Sequence, residues 1–130
     1  MQVPLVLSFR GLDEHINKEN LEKLVRERTG KLERYNRHII SCRVAVEQRH
    51  KHKHSGNPCR VRIDVTVPPH HEIVVDREPK KGNLPVTTLI RDAFMAMERQ
   101  LKQLAQKQRN EVKTHQNELK PKEWVVVDEE

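Results

Sequence analysis

Between Val86 and Leu104 the apolar residues Val86, Leu89, Ile90, Ala93, Phe94, Met97, Leu101 and Leu104 recur at intervals of three and four. That spacing predicts a helix with one continuous apolar stripe about five turns long. No other segment has so sustained a period, and a stripe of that length needs a comparably long apolar surface to cover it. Aromatic residues are only 3% of the chain, so that surface has to be built from Val, Ile and Leu. Beyond Leu104 the pattern turns polar (QKQRNEVKTHQNE), and the helix is expected to project past its support until Pro121 stops it.

Alternating runs supply the surface. Val3, Leu5, Leu7 and Phe9 alternate with Pro4, Val6, Ser8 and Arg10, which predicts a strand, with Pro4 suited to its start or to a sheet edge. Ile40, Cys42, Val44 and Val46 form a second run. Cys59, Val61, Ile63, Val65 and Val67 form a third, with Arg60, Arg62, Asp64 and Thr66 on its other face. Between these two lies RHKHKHSGNP, whose Gly56, Asn57 and Pro58 supply turn chemistry for a long-tipped antiparallel hairpin. Pro68 and Pro69 precede a fourth strand at about residues 72–76, and REPKKGNLP reads as a loop.

After Gly11, Asn17 is the natural N-cap of a first helix in which Leu21, Leu24, Val25, Leu32 and Tyr35 share one stripe, weakened near Thr29 and Gly30. The resulting order, β-α-β-β-β-α, defines an α+β fold: a four-stranded sheet with two helices packed on one face. One domain is expected over residues 1–116, and 117–130 form a C-terminal tail. In that tail Trp124 to Val127 would be disordered, or would add as a strand to the open sheet edge or to a neighbouring copy, the last giving weak self-association.

The chain carries 25 Lys and Arg against 19 Asp and Glu, a formal charge of +6, which favours a polyanionic partner. No run of about 20 apolar residues exists, and MQVPLVLSFRG lacks the basic start of a signal peptide, so a cytosolic protein without a membrane partner is expected. Cys42 and Cys59 have neither metal-site spacing nor scaffold density and read as reduced core thiols. His50, His52 and His54 alternate, and His70 and His71 follow the next strand. Without Cys or carboxylate partners at fixed spacing they read as a mobile cationic tip rather than a metal site. No nucleophile-base spacing, phosphate loop or paired-carboxylate motif appears, so no enzymatic activity and no cofactor are expected.

The candidate binding residues lie on the helices. On the last one Arg91, Lys102, Arg109 and Lys113 fall within about 40° of one another, opposite the apolar stripe. On the first, Lys23, Arg26, Arg34 and Arg37 also point away from the core, diluted by Glu19, Glu27 and Glu33, with Gly30 at the centre of that face. Outward Arg and Lys on paired helices suit recognition of folded RNA by charge and shape, and the scarcity of aromatics disfavours stacking on single strands. The rival readings are a protein-interaction module using the open sheet face and the tail, or a His-rich metal-binding protein.

The segment Leu32-Glu33-Arg34-Tyr35 with His38-Ile39-Ile40, the histidine-bearing hairpin, and Met97-Glu98-Arg99-Gln100-Leu101 resemble the ribosome hibernation-promoting factor and ribosome-associated inhibitor family over about residues 3 to 110. The resemblance implies a non-catalytic stress factor. Such a factor occupies the mRNA and tRNA channel of the small ribosomal subunit, touching ribosomal RNA with both helices. It assigns RNA contact to Arg28, Lys31 and Arg34 and to Arg99, Lys102 and Lys107. The chain departs from the family pattern at Thr87, Arg91, Gln103 and Ala105, and it lacks the large dimerisation domain of long members, so it is not expected to pair ribosomes by itself.

Overall fold

The computed structural model describes residues 3–48, 58–80 and 84–119, with side chains described through residue 109. Its elements are β1 (Leu5–Arg10), α1 (Lys18–Lys31), a 3-10 turn (Leu32–Arg34), β2 (Ser41–Gln48), β3 (Cys59–Val67), β4 (His71–Arg77) and α2 (Val86–Leu119). The α+β order β-α-β-β-β-α is therefore the one the periodicities predict. Two compact units divide within α2, residues 1–100 and residues 101–130.

In the first unit the strands lie in the order β1-β2-β3-β4. β1 runs parallel to β2 in the register Leu5↔Cys42 to Arg10↔Glu47, which requires the α1 crossover between them. β2, β3 and β4 follow as antiparallel neighbours, with Val44↔Ile63 and Ile63↔Val75 aligning one valine-rich row. Alternation then sorts the faces. Cys42, Val44, Val46, Cys59, Val61, Ile63, Val65, Val67 and Val75 are all buried. Leu21, Val25, Thr29 and Leu32 on the α1 side and Leu89, Ile90, Ala93, Phe94 and Met97 of α2 are buried with them.

Local chemistry sets the element ends. Asn17 caps α1 by accepting a hydrogen bond from the Asn20 amide at 3.2 Å. Gly11 takes a left-handed φ of 69° where the chain leaves β1, a conformation that only glycine adopts cheaply. The loop that follows is tied to the end of β2: the Asp13 amide donates to Gln48 Oε1 at 2.8 Å, and Gln48 Nε2 donates to Asp13 Oδ2 at 3.0 Å.

Three expectations need correction. The first helix does not run on through Tyr35. It ends at Lys31 and tightens into the 3-10 turn, where the Tyr35 amide donates to the Leu32 carbonyl at 3.0 Å. Arg34 thus lies in that turn and Arg37 in the connection after it. Ile40 is not on the buried face of β2: it precedes the strand and is 52% exposed, whereas Ile39 is buried. Its amide still bonds to the Thr66 carbonyl at 2.8 Å, so the backbone is paired there before the side chains begin to alternate. The fourth strand is longer than residues 72–76, because Val67↔His71 pairing carries the ladder to the Pro68–His70 turn. The histidines at 50, 52 and 54 and the Trp124 tail fall outside the described residues.

Candidate nucleic-acid interface

The outward faces of α1 and α2 carry the cations. Lys23 and Arg26 are exposed on α1, and Arg34 and Arg37 are exposed just beyond it. Arg26 Nε donates to Glu22 Oε2 at 2.9 Å, and Lys31 Nζ lies 3.7 Å from Glu27 Oε1. Both are solvent-facing i,i+4 pairs, which are worth a few tenths of a kcal/mol and exchange readily for a phosphate partner. Gly30 sits among them on the open side, and a Cβ added there would meet nothing within 4 Å. The helix surface is therefore clear at that point.

Arg28 behaves differently from its neighbours. Its Nη2 donates to Glu98 Oε2 at 2.9 Å, and the two side chains are only 16% and 19% exposed. Arg28 therefore links α1 to α2, with its charge neutralised at close range. Its Nε is buried and has no hydrogen-bond partner among the described residues.

On α2 the sequence wheel places Arg91, Met95 and Arg99 on the side away from Ile90, Ala93, Phe94 and Met97. All three are exposed, Met95 at 54%. In the second unit the same helix carries exposed Lys102, Lys107 and Arg109, while Leu101 is buried and Leu104 half-buried. Lys113 lies one turn further along the helix. The structure thus brings Lys23, Arg26, Lys31 and Gly30 onto one face of α1. It places Arg34 and Arg37 just off that helix and assigns Arg28 to the seam between helices.

Periodicity alone did not reveal the partner of Arg28. Glu98 is polar and half-buried next to Met97, and the signal available was a carboxylate at the margin of an otherwise apolar stripe. The open face of the sheet also gathers Arg10, Arg43, Arg60 and Arg62 from three strands, which required the β1–β2 register to be known. Among the described residues no group of three or more His, Cys, Asp and Glu could hold a metal ion. No helix among them is long and apolar enough to cross a membrane.

The sequence profile of the sigma 54 modulation protein / S30EA ribosomal protein family matches residues 13–109. The chain belongs to that family. The fold is similar to the N-terminal domain of Protein Y from Thermus thermophilus, with a TM-score of 0.54 and 21% identity over 80% of this chain and 99% of that one. It is also similar to a ribosomal subunit interface protein from Coxiella burnetii, with a TM-score of 0.56 and 14% identity over 79% of this chain and 98% of that one. No curated protein sequence matches the chain significantly. The resemblance drawn from the KLERY and ERQL segments is thereby borne out at the level of family and fold.

Proposed function

We propose that this protein is a non-catalytic cytoplasmic translation inhibitor that binds ribosomal RNA in the mRNA and tRNA channel of the small ribosomal subunit under stress. The observation that carries the reading is the series of exposed cations on α1, the adjoining turn and α2, on a chain of formal charge +6 in a ribosomal protein family. Lys23, Arg26, Lys31, Arg34 and Arg37 form one part of the contact, and Arg91, Arg99, Lys102, Lys107, Arg109 and Lys113 form the other. Guanidinium groups bridge phosphate oxygens bidentately, and each neutralised phosphate releases condensed counterions, so helix faces that present Arg and Lys rather than aromatic side chains can grip folded RNA by its backbone. Arg28 acts in this scheme by fixing α1 against α2 through Glu98.

Competition with tRNA tests the channel assignment. Added protein should displace tRNA from purified small subunits and inhibit translation of a reporter mRNA in a reconstituted system. Simultaneous, independent binding of tRNA and protein would contradict it.

A further inference from the structure

The sheet face turned away from the helices holds an open depression of about 240 Å³ whose lining includes Ser8, Arg10, Ala45, Glu47, Arg60 and Arg62. Register explains its shape. Ser8 and Ala45 are paired across β1 and β2, and their small side chains leave a floor without bulk. The neighbouring row, Arg10↔Glu47↔Arg60, forms one wall, and Arg62, paired with Ala45, closes the floor row. Three guanidinium groups from two strands that are not neighbours therefore surround one hollow.

Their states differ in a way that suits a ligand. Arg60 is fixed: its Nε donates to Asp76 Oδ1 at 2.8 Å, its Nη2 pairs with Asp76 Oδ2, and Glu47 Oε1 lies 3.9 Å from its Nη1. Arg10 and Arg62 are exposed and form no ion pair among the described residues. Outside the hollow Arg43 is paired in register with Asp64, and Glu72 adds a negative charge on β4. An extended polyanion laid across the sheet would meet these carboxylates. A single phosphate group in the hollow would meet two unpaired guanidiniums.

We propose that this depression binds the phosphate group of a small, hydroxyl-bearing phosphate ester, of the sugar phosphate or ribose phosphate class. Arg10 and Arg62 take the phosphate oxygens by charge-assisted hydrogen bonds, and Arg60, held by Asp76, orients the wall. The Glu47 carboxylate and the Ser8 hydroxyl at the rim accept hydrogen bonds from the ester's hydroxyls. Among the described residues the lining holds no aromatic side chain to stack on a base, and its one larger apolar residue, Val46, is fully buried, so recognition rests on the phosphate and its hydroxyl-bearing carbon chain.

The test uses the full chain at low salt, with ribose 5-phosphate as probe and free ribose as control, read by NMR shifts of the arginine side-chain Nε–H groups. Ribose 5-phosphate should move the Arg10 and Arg62 signals saturably, while ribose should leave them still. Arg10→Gln and Arg62→Gln should each weaken binding at least about fivefold, whereas Arg77→Gln on the edge strand should not. Linear, unsaturating shifts, or equal affinity in the Arg10 and Arg62 variants, would overturn the proposal. So would an effect of these variants on small-subunit binding without any response to ribose 5-phosphate, which would assign the face to RNA. None of these outcomes depends on the helix faces that carry the proposed ribosome contact.

Discussion

Arg28 on α1 and Glu98 on α2 meet at 2.9 Å across the helix seam, both largely shielded from water. A pair in this position holds two helices in register while drawing a guanidinium away from solvent. The two residues are 70 positions apart in sequence, so their contact depends on the whole first unit being folded.

Removing one partner leaves the other with a poorly hydrated, uncompensated charge. Glu98→Ala should therefore lower the stability of the protein by about 1–3 kcal/mol in urea unfolding. Replacing both partners, Arg28→Met with Glu98→Met, should recover most of that loss. A double-mutant cycle with no coupling would show that the pair contributes nothing.

The core makes a second test. Phe94 is fully buried and is the largest side chain in the sheet-facing stripe of α2. Phe94→Ala should destabilise the fold by about 3–5 kcal/mol, because it removes a whole ring from a fully buried position and leaves a cavity. Met95, its exposed neighbour at 54%, should tolerate the same change within about 0.5 kcal/mol.

Burial pushes the Cys42 thiol up to about 11, opposed in part by Thr29 and reinforced by Asp64. Burial also raises Cys59, with Asp13 adding to the effect. Both thiols should resist a disulfide reagent at pH 8 in the native protein and react at once in denaturant. The folded thiols hold their protons to higher pH than the unfolded ones, from a reference of 9.0. For Cys42 that contribution to stability is complete below pH 9 and is lost as pH rises toward 11. Unfolding midpoints that fail to drop across that window in the wild type relative to Cys42→Ala would contradict this assignment.

Much of this fold was legible in the residues themselves. The α2 stripe from Leu89 to Met97 and the strand alternations of Val44, Val46, Val61, Ile63 and Val65 encode burial directly, since one face meets the core in each. The end of α1 was not legible, because Leu32 and Tyr35 fit a helical stripe equally well and the switch to a 3-10 turn is decided by tertiary packing. The position of Ile40 was not legible either, because alternation does not mark where a strand begins: Ile40 precedes β2, and the buried side chain there is Ile39. The exposed cations at Lys23, Arg26, Arg91 and Lys102 followed from helical phase, whereas Arg99 was assigned by the family resemblance alone. The ion pair of Arg28 and the gathering of Arg10 with Arg60 and Arg62 depend on long-range register, which a single sequence does not display.

The helix ridge can be tested without disturbing the core. Lys102 and Arg109 are exposed, and reversing them, Lys102→Glu with Arg109→Glu, should change folding stability by under about 0.5 kcal/mol per site. Circular dichroism and urea midpoints close to wild type would confirm that the variant is folded.

The central claim is that exposed cations on the helices hold the protein to ribosomal RNA, and cosedimentation with purified small subunits across a salt series measures it directly. Wild-type protein should pellet with subunits at low salt and be released at high salt. If about six phosphates are contacted, affinity should fall about 10³-fold between 50 and 200 mM salt. The folded Lys102→Glu and Arg109→Glu double variant should remain in the supernatant throughout. Binding that is insensitive to salt, or a double variant that pellets as the wild type does, would contradict the account.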